Sequence, residues 1–268
     1  MERLITASNG TELCIDEFGD PEAPLVVQLE GHQAQLVSVP DSYCHRLADA
    51  GLRVIRVDNR DVGRSQRFSG VEYTLTEMAE DIHGLLQVLG RPAVVCGRSM
   101  GGAIAQLLAV HHPESVLGLG LFYTFTKHHH AGRIPPESSA PFTGPAQYRA
   151  WLQRSLPPIA GPDHPYSAEY LEWLARTQWA RGVDWDGYQR QHRAMWREPA
   201  WAEALTGVRV PVAIVHGAAD ALTPPANAEL LARLLPQAEL HLVPGLGHQQ
   251  PEALDDLFVA ATLHAAGR

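Results

Sequence analysis

Hydrophobic positions along this chain follow two rhythms. Short continuous apolar runs, Leu25 to Leu29, Leu52 to Val57, Val94 to Cys96 and Val116 to Tyr123, have the length and composition of strands buried on both faces. Longer stretches with helical spacing lie between them. Ser42 to Ala50 is amphipathic and meets Gly51, a helix stop. Thr76 to Leu89 places Met78, Ile82, Leu85, Leu86 and Leu89 at helical intervals and meets Gly90. Gly101 to His111 runs into His112-Pro113. At the start, Leu4 to Ser8 and Thr11 to Phe18 flank Asn9-Gly10, a hairpin signal. Strands alternating with helices predict an α/β fold: a mostly parallel central sheet flanked by helices, with right-handed crossovers.

The rhythm breaks near Thr124. From there to Ala204 no strand is convincing, and Ile134-Pro135-Pro136 and Leu156-Pro157-Pro158 interrupt the pattern. Helical patches fall near Ala146–Leu156, Ala168–Ala180 and Trp185–Trp196. The sheet pattern resumes with Val210 to His216, a helix near Ala226–Leu235, a strand at Glu239 to Val243 and a last helix near Pro251–Ala266. The chain is therefore expected to form a core from residues 1–124 and 206–268, with a helical cap over 125–205. The Pro-rich joints near 135 and 157 are the places where such a cap could hinge as a lid.

Composition narrows the class. At 268 residues the chain is long enough for one large α/β domain. A net charge of −9 with no basic patch argues against a nucleic-acid partner. Cys14, Cys44 and Cys96 are too few and too scattered for a disulfide framework or a zinc site. Met1 to Thr6 lacks a charged segment followed by a long apolar run, and no apolar run is long enough to cross a bilayer. The expectation is a cytoplasmic monomer or homodimer acting on a small molecule, with no membrane partner.

One stretch carries chemistry. Val94 to Cys96 leads into Gly97-Arg98-Ser99-Met100-Gly101-Gly102, which fits G-x-S-x-G at a strand-to-helix turn. A serine held in such a turn projects its Oγ above the sheet edge. Bulky neighbours two residues to either side would collide with the turn, so glycines stand there. The helix that follows aims its N-terminus at the site and favours developing negative charge.

A serine hydroxyl is a weak nucleophile at neutral pH. It needs a histidine to take its proton and a carboxylate to hold that imidazole. On this kind of sheet the acid and the histidine follow in loops after late strands. Asp220 stands just past Val212 to His216, and His248 just past the last strand in Pro244-Gly245-Leu246-Gly247-His248. Asp61 is a rival acid, but it precedes Ser99 in an Asp-x-Gly-x-Ser loop suited to a structural turn. His216 ends a strand, where packing is its expected role. His111, His112 and the run His128-His129-His130 lack carboxylate or cysteine spacing that would support a metal, and none is expected. The oxyanion hole is expected from the backbone N–H groups of Met100 and His32, with Gly31 allowing close backbone approach.

With these residues assembled, the chain resembles the α/β-hydrolase family along essentially its whole length. The marks are the Gly97–Gly102 elbow, Asp58-Asn59-Arg60-Asp61-Val62-Gly63-Arg64-Ser65, Asp220-Ala221-Leu222-Thr223-Pro224 and Gly245-Leu246-Gly247-His248. Asn59-Arg60-Asp61, Asp16-Glu17-Phe18-Gly19-Asp20-Pro21 and the single helical cap are similar to the aclacinomycin methylesterase group. That resemblance implies a cofactor-free esterase acting on an aromatic polyketide methyl ester. One position departs from the family's pattern: Glu30 stands before Gly31-His32, where the family usually has histidine or an apolar residue. An ionised carboxylate there opposes an oxyanion. Either Glu30 is paired and points away, or burial protonates it, or the site runs altered chemistry.

The cap speaks to substrate. All six tryptophans, Trp151, Trp173, Trp179, Trp185, Trp196 and Trp201, fall between Thr124 and Ala204, with Tyr148, Tyr166, Tyr170 and Tyr188. Trp151, Trp173 and Trp179 are the candidates to line a pocket for a hydrophobic, aromatic ester. Two other classes compete with an esterase. One is a lyase or cyclisation catalyst using the same pocket, motivated by Glu30 and His32. The other is a small-molecule receptor with a vestigial triad.

Overall fold

A computed structural model describes residues 1–126 and 142–268. The run 128–130 and the joint near 135 lie outside the described residues. Eight strands form one sheet in the order β1-β2-β4-β3-β5-β6-β7-β8. β1 (Arg3–Thr6) and β2 (Glu12–Phe18) make the antiparallel hairpin around Asn9-Gly10, and β2 pairs antiparallel with β4 (Arg53–Val57). The remaining strands, β3 (Leu25–Leu29), β5 (Ala93–Arg98), β6 (Val116–Phe122), β7 (Val212–Gly217) and β8 (Ala238–Val243), run parallel to β4.

Alternation along the strands divides the core in two. Leu25, Val27, Val95, Val212 and Ile214 face one side, where α2 (Leu75–Leu89), α3 (Met100–His111) and α7 (Ala226–Leu234) bury Met78, Ile82, Ile104, Leu108 and Leu231. Val26, Val94, Cys96, Ala213 and Val215 face the other, against Tyr43, Cys44 and Leu47 of α1 (Asp41–Asp49) and Phe258, Ala261 and Ala265 of α8 (Asp255–Ala265). Each central strand is covered on both faces, which is why these strands read as unbroken apolar runs. α2 begins with a Thr74–Glu77 capping box and ends at Gly90 in the left-handed region, as its sequence signals predict.

Among the described residues between β6 and β7 are three α-helices, α4 (Pro145–Ser155), α5 (Ala168–Arg181) and α6 (Trp185–Arg197). They carry a small cluster of their own, built on Phe142, Tyr148, Leu152, Leu174 and Ala175. Trp201 departs from the compositional grouping. It packs into the main core, with its indole N–H donating to Gln106 of α3 at 2.9 Å. The Pro157 joint is also more firmly held than a free hinge. Ile159 O accepts the His248 N–H at 2.8 Å, and Gly245 O accepts the Asp163 N–H at 3.2 Å.

Among the described residues, four non-glycine residues have positive φ: Gln33 (60°), Asp61 (67°), Ser99 (50°) and Tyr123 (36°). They follow β3, β4, β5 and β6 in turn. Backbone strain is thus concentrated along the carboxyl edge of the central strands, where ligands bind in open parallel sheets.

Candidate active site

Ser99 sits at φ 50°, ψ −120°, between the end of β5 and the start of α3. Its N–H donates to Phe122 O at 3.0 Å, and its carbonyl accepts the Thr124 hydroxyl at 2.6 Å. The turn closes only because its neighbours lack side chains. A Cβ on Gly97 would stand 2.2 Å from Gly101 O, and one on Gly101 would stand 2.5 Å from Leu29 O. A Cβ on Gly31 would approach the Ser99 Cβ to 3.0 Å, so the loop after β3 lies directly against the serine.

Asp220 follows β7 and is buried. Its Oδ1 accepts the Leu222 and Thr223 N–H groups, each at 2.8 Å. Its Oδ2 accepts the Thr223 hydroxyl at 2.8 Å and the His248 Nδ1–H at 2.7 Å. Burial works to raise this carboxyl, but the His248 ring and the Thr223 amide outweigh it and hold Asp220 below the usual carboxylate range. With Nδ1–H given to Asp220, the other ring nitrogen of His248 is left as an acceptor. The Tyr123 ring meets His248 edge-on at 4.8 Å, so residues 122–124 bridge the serine and histidine loops.

On the opposite side lies the loop after β3. His32 Nε2 donates to Tyr188 O of α6 at 2.9 Å, and its ring lies 4.2 Å from the Tyr188 ring. Burial, against the pull of this bond, lowers the His32 imidazole to about 4, so it stays neutral near pH 7. Met100 opens α3, among the first-turn amides that have no intrahelical acceptor. Glu30 is buried beside this loop. Its Oε2 accepts the Gly31 N–H at 3.0 Å and its Oε1 lies 3.6 Å from Arg98 Nε. Burial pushes its carboxyl up, against the pull of Arg98 and Gly31.

The cap residues divide. Tyr188 stacks on Trp185 at 4.6 Å and meets Trp151 edge-on at 6.0 Å, so an aromatic row leads from His32 into the cap. Trp179 packs against Tyr148 inside the cap cluster. Trp173 is 39% exposed beside Tyr170, and Trp196 is 54% exposed. Asp61 is far from free: it accepts from Phe68 N–H, Tyr73 OH and Arg190. His216 is fully buried, with Nε2 donating to Thr223 O at 2.7 Å. Sequence reasoning passes over Thr223, Tyr123 and Gln250. Only their adjacency to the acid, strand and histidine motifs could have marked them.

Among the described residues, one metal-like cluster lies elsewhere. His83, His112 and Glu114 bring ligand atoms within 4.8 Å of one another at the far end of α3. The two imidazoles are stacked at 3.7 Å and 12°. Ring lone pairs lie in the ring planes, and planes so nearly parallel share no point near both nitrogens. His112 is instead bonded to Glu80 at 2.7 Å.

The fold and this strand-end constellation define an α/β-hydrolase. The family model described as serine aminopeptidase, S33 matches residues 22–251, and the chain belongs to that hydrolytic family. It is 30% identical to rhodomycin D methylesterase DnrP of Streptomyces peucetius, over 97% of this chain and 96% of that one. It is 29% identical to the corresponding DauP of Streptomyces sp., with the same coverage. Among solved structures, the enol-lactonase of Burkholderia xenovorans LB400 superposes with a TM-score of 0.78 at 23% identity, covering 99% and 100% of the two chains. An esterase from Exiguobacterium antarcticum gives 0.79 at 21% identity and covers both chains completely. No helix among the described residues is long and apolar enough to cross a membrane.

Proposed function

We propose that this protein is a serine esterase that cleaves a carboxylic ester, most simply a methyl ester, of a hydrophobic aromatic small molecule. Two observations support the reading: the 2.7 Å bond from His248 Nδ1 to a buried Asp220, and a serine held at φ 50° at the end of β5. Ester cleavage is also the activity in the names of the two methylesterases to which the chain is similar along nearly its whole length.

Ser99 Oγ attacks the ester carbonyl carbon and gives its proton to His248 Nε2. Asp220 holds the ring and stabilises the imidazolium. The carbonyl oxygen becomes an oxyanion, received by the N–H groups of His32 and Met100. The C–O bond breaks, and the alcohol leaves with the proton from His248. Water then attacks the acyl-enzyme with His248 as base, releasing the acid and restoring Ser99. The row His32, Tyr188, Trp185 and Trp151 offers aromatic surface to the substrate. The ion pair of Glu30 with Arg98 and the bond of His32 to Tyr188 O account for both residues that motivated a lyase reading. With three free, buried cysteines the protein fits a reducing compartment, and the cytoplasm is our assignment.

Intact-mass analysis after treatment with a fluorophosphonate, on wild type and Ser99→Ala, beside turnover of a p-nitrophenyl ester, tests this. One adduct on the wild type and none on the variant, with turnover lost in parallel, is the expected result. A wild type that neither labels nor turns over ester overturns it.

A further inference from the structure

Arg98 precedes the nucleophile, at a position that the elbow's geometry leaves free to vary, and it is a fully buried cation. Along β5 its side chain points away from Ser99, into the face built on Tyr43 and Phe122, whose rings each lie 5.3 Å from its guanidinium carbon. From there it reaches the end of β3 and two loops. Nη1 donates to Gln28 Oε1 at the end of β3 at 2.9 Å. Nε lies 3.6 Å from Glu30 Oε1, and Glu30 in turn holds the Gly31 N–H, one residue before His32. Nε, at 2.8 Å, and Nη2 both donate to Gln250 Oε1, two residues after His248. Gln28 passes the connection on to Tyr43, and Tyr43 to Thr262 of α8.

We propose that Arg98 is a positioning residue that locks the oxyanion loop, the nucleophile elbow and the histidine loop into one register, with Glu30 as its counter-ion. The inference rests on the esterase reading above. The chemistry requires three groups from three strand ends to be held to within a few tenths of an ångström, and one rigid, planar, multidentate cation touching all three loops does this. A buried guanidinium needs a partner charge, and Glu30 is the one carboxylate that forms an ion pair with it among the described residues. The unusual glutamate before Gly31-His32 is therefore a consequence of the arginine before Ser99. Because the Glu30 charge is neutralised from behind the loop, it does not oppose an oxyanion in front of it.

Two variants and one rescue test this. Glu30→Gln keeps the side-chain shape and an acceptor for Gly31, but leaves the guanidinium unneutralised. Its kcat is expected to fall about tenfold or more, with KM within about twofold, and phosphonylation of Ser99 to slow in step. Gln250→Glu in that background puts a carboxylate against Nε and Nη2 of the same guanidinium. It is expected to return kcat to within about threefold of wild type, which a purely local role for Glu30 would not allow. Gln250→Ala, which removes no charge, is expected to lower kcat about fivefold with KM unchanged. Each protein is checked by its melting temperature. Unchanged kcat in folded Glu30→Gln, or a loss there that Gln250→Glu leaves in place, overturns the assignment. If Glu30→Gln does not fold, unchanged kcat in Gln250→Ala overturns it. Failure of the wild type to label with fluorophosphonate is instead the failure of the esterase reading, and the inference falls with it.

Discussion

Arg190 of α6 closes a two-pronged ion pair on Asp61 of the core, with Nε 2.9 Å from Oδ2 and Nη2 2.8 Å from Oδ1. Both side chains are buried. One helix earlier, Arg181 makes the parallel contact with Asp58 at 2.8 Å. Helices α5 and α6 are therefore fastened to the loop after β4. Breaking one half of a buried pair leaves an unpartnered charge. Asp61→Asn and Arg190→Met are each expected to lose about 3 kcal/mol of stability, while the double variant recovers most of it. Urea unfolding of the four proteins forms the cycle, and a double variant as unstable as the sum of the singles would refute the pairing.

The same pair dictates how stability changes in acid. Burial pulls the Asp61 carboxyl upward, but Arg190, Tyr73 and the Phe68 amide outweigh it and leave it below its ordinary 3.8. Asp220 is lowered in the same sense. A carboxyl lowered on folding contributes its full stabilisation above the unfolded value. That contribution drains away as pH falls from about 4 towards the folded value. Unfolding free energies measured between pH 6 and pH 3 should fall less steeply below pH 4 in Asp61→Asn than in the wild type. Equal slopes would mean that the carboxyl is not lowered.

How far the sequence carries is clear from where it succeeds. Strands buried on both faces cannot hide, since Val94 to Cys96 and Val212 to Val215 have to be apolar at every position. Ser99, Asp220 and His248 stand out as candidates because each lies in the turn or loop that follows a strand of the parallel sheet. What stays hidden is what joins distant segments. Arg190 and Asp61 are 129 residues apart, and Arg98 and Gln250 are 152 apart, with no local pattern to connect them. Composition places Trp201 with the cap tryptophans, because a count of residues does not see which face a side chain takes. The departure at Glu30 is visible in the sequence, but its explanation at Arg98 is not.

The elbow glycines make a steric prediction with an internal control. Gly101→Ala drives a methyl group to within 2.5 Å of Leu29 O and 2.6 Å of Glu30 O, both backbone atoms that cannot move aside cheaply. A loss of about 3 kcal/mol or more, or failure to fold, is expected. At Gly144 and Gly207 nothing lies within 4 Å of the place an alanine methyl would take, and φ at neither favours glycine. Alanine there should stay within about 0.5 kcal/mol of the wild type. Melting temperatures of the three variants suffice, and a well-folded Gly101→Ala with unchanged stability would contradict the close approach of β3 and α3.

The aromatic row makes a prediction about substrate. Tyr188 lies between His32 and Trp185, with ring centroids 4.2 and 4.6 Å away, while its main-chain carbonyl holds the His32 ring. Tyr188→Ala removes the ring that packs between His32 and Trp185, and so loosens the aromatic row, while keeping the carbonyl. Each such ring contact is worth about 0.5–1.5 kcal/mol, so with the row loosened KM for a methyl ester of a polycyclic aromatic acid should rise roughly three- to tenfold. KM for p-nitrophenyl acetate, whose acyl group has no ring to stack, should change by less than about twofold. Trp196, 54% exposed on the outer side of α6, provides the comparison, and its alanine variant should leave both substrates alone. If Tyr188→Ala raised KM equally for the aromatic and the acetyl ester, the effect would lie in the placement of His32. The row would then play no part in choosing the substrate.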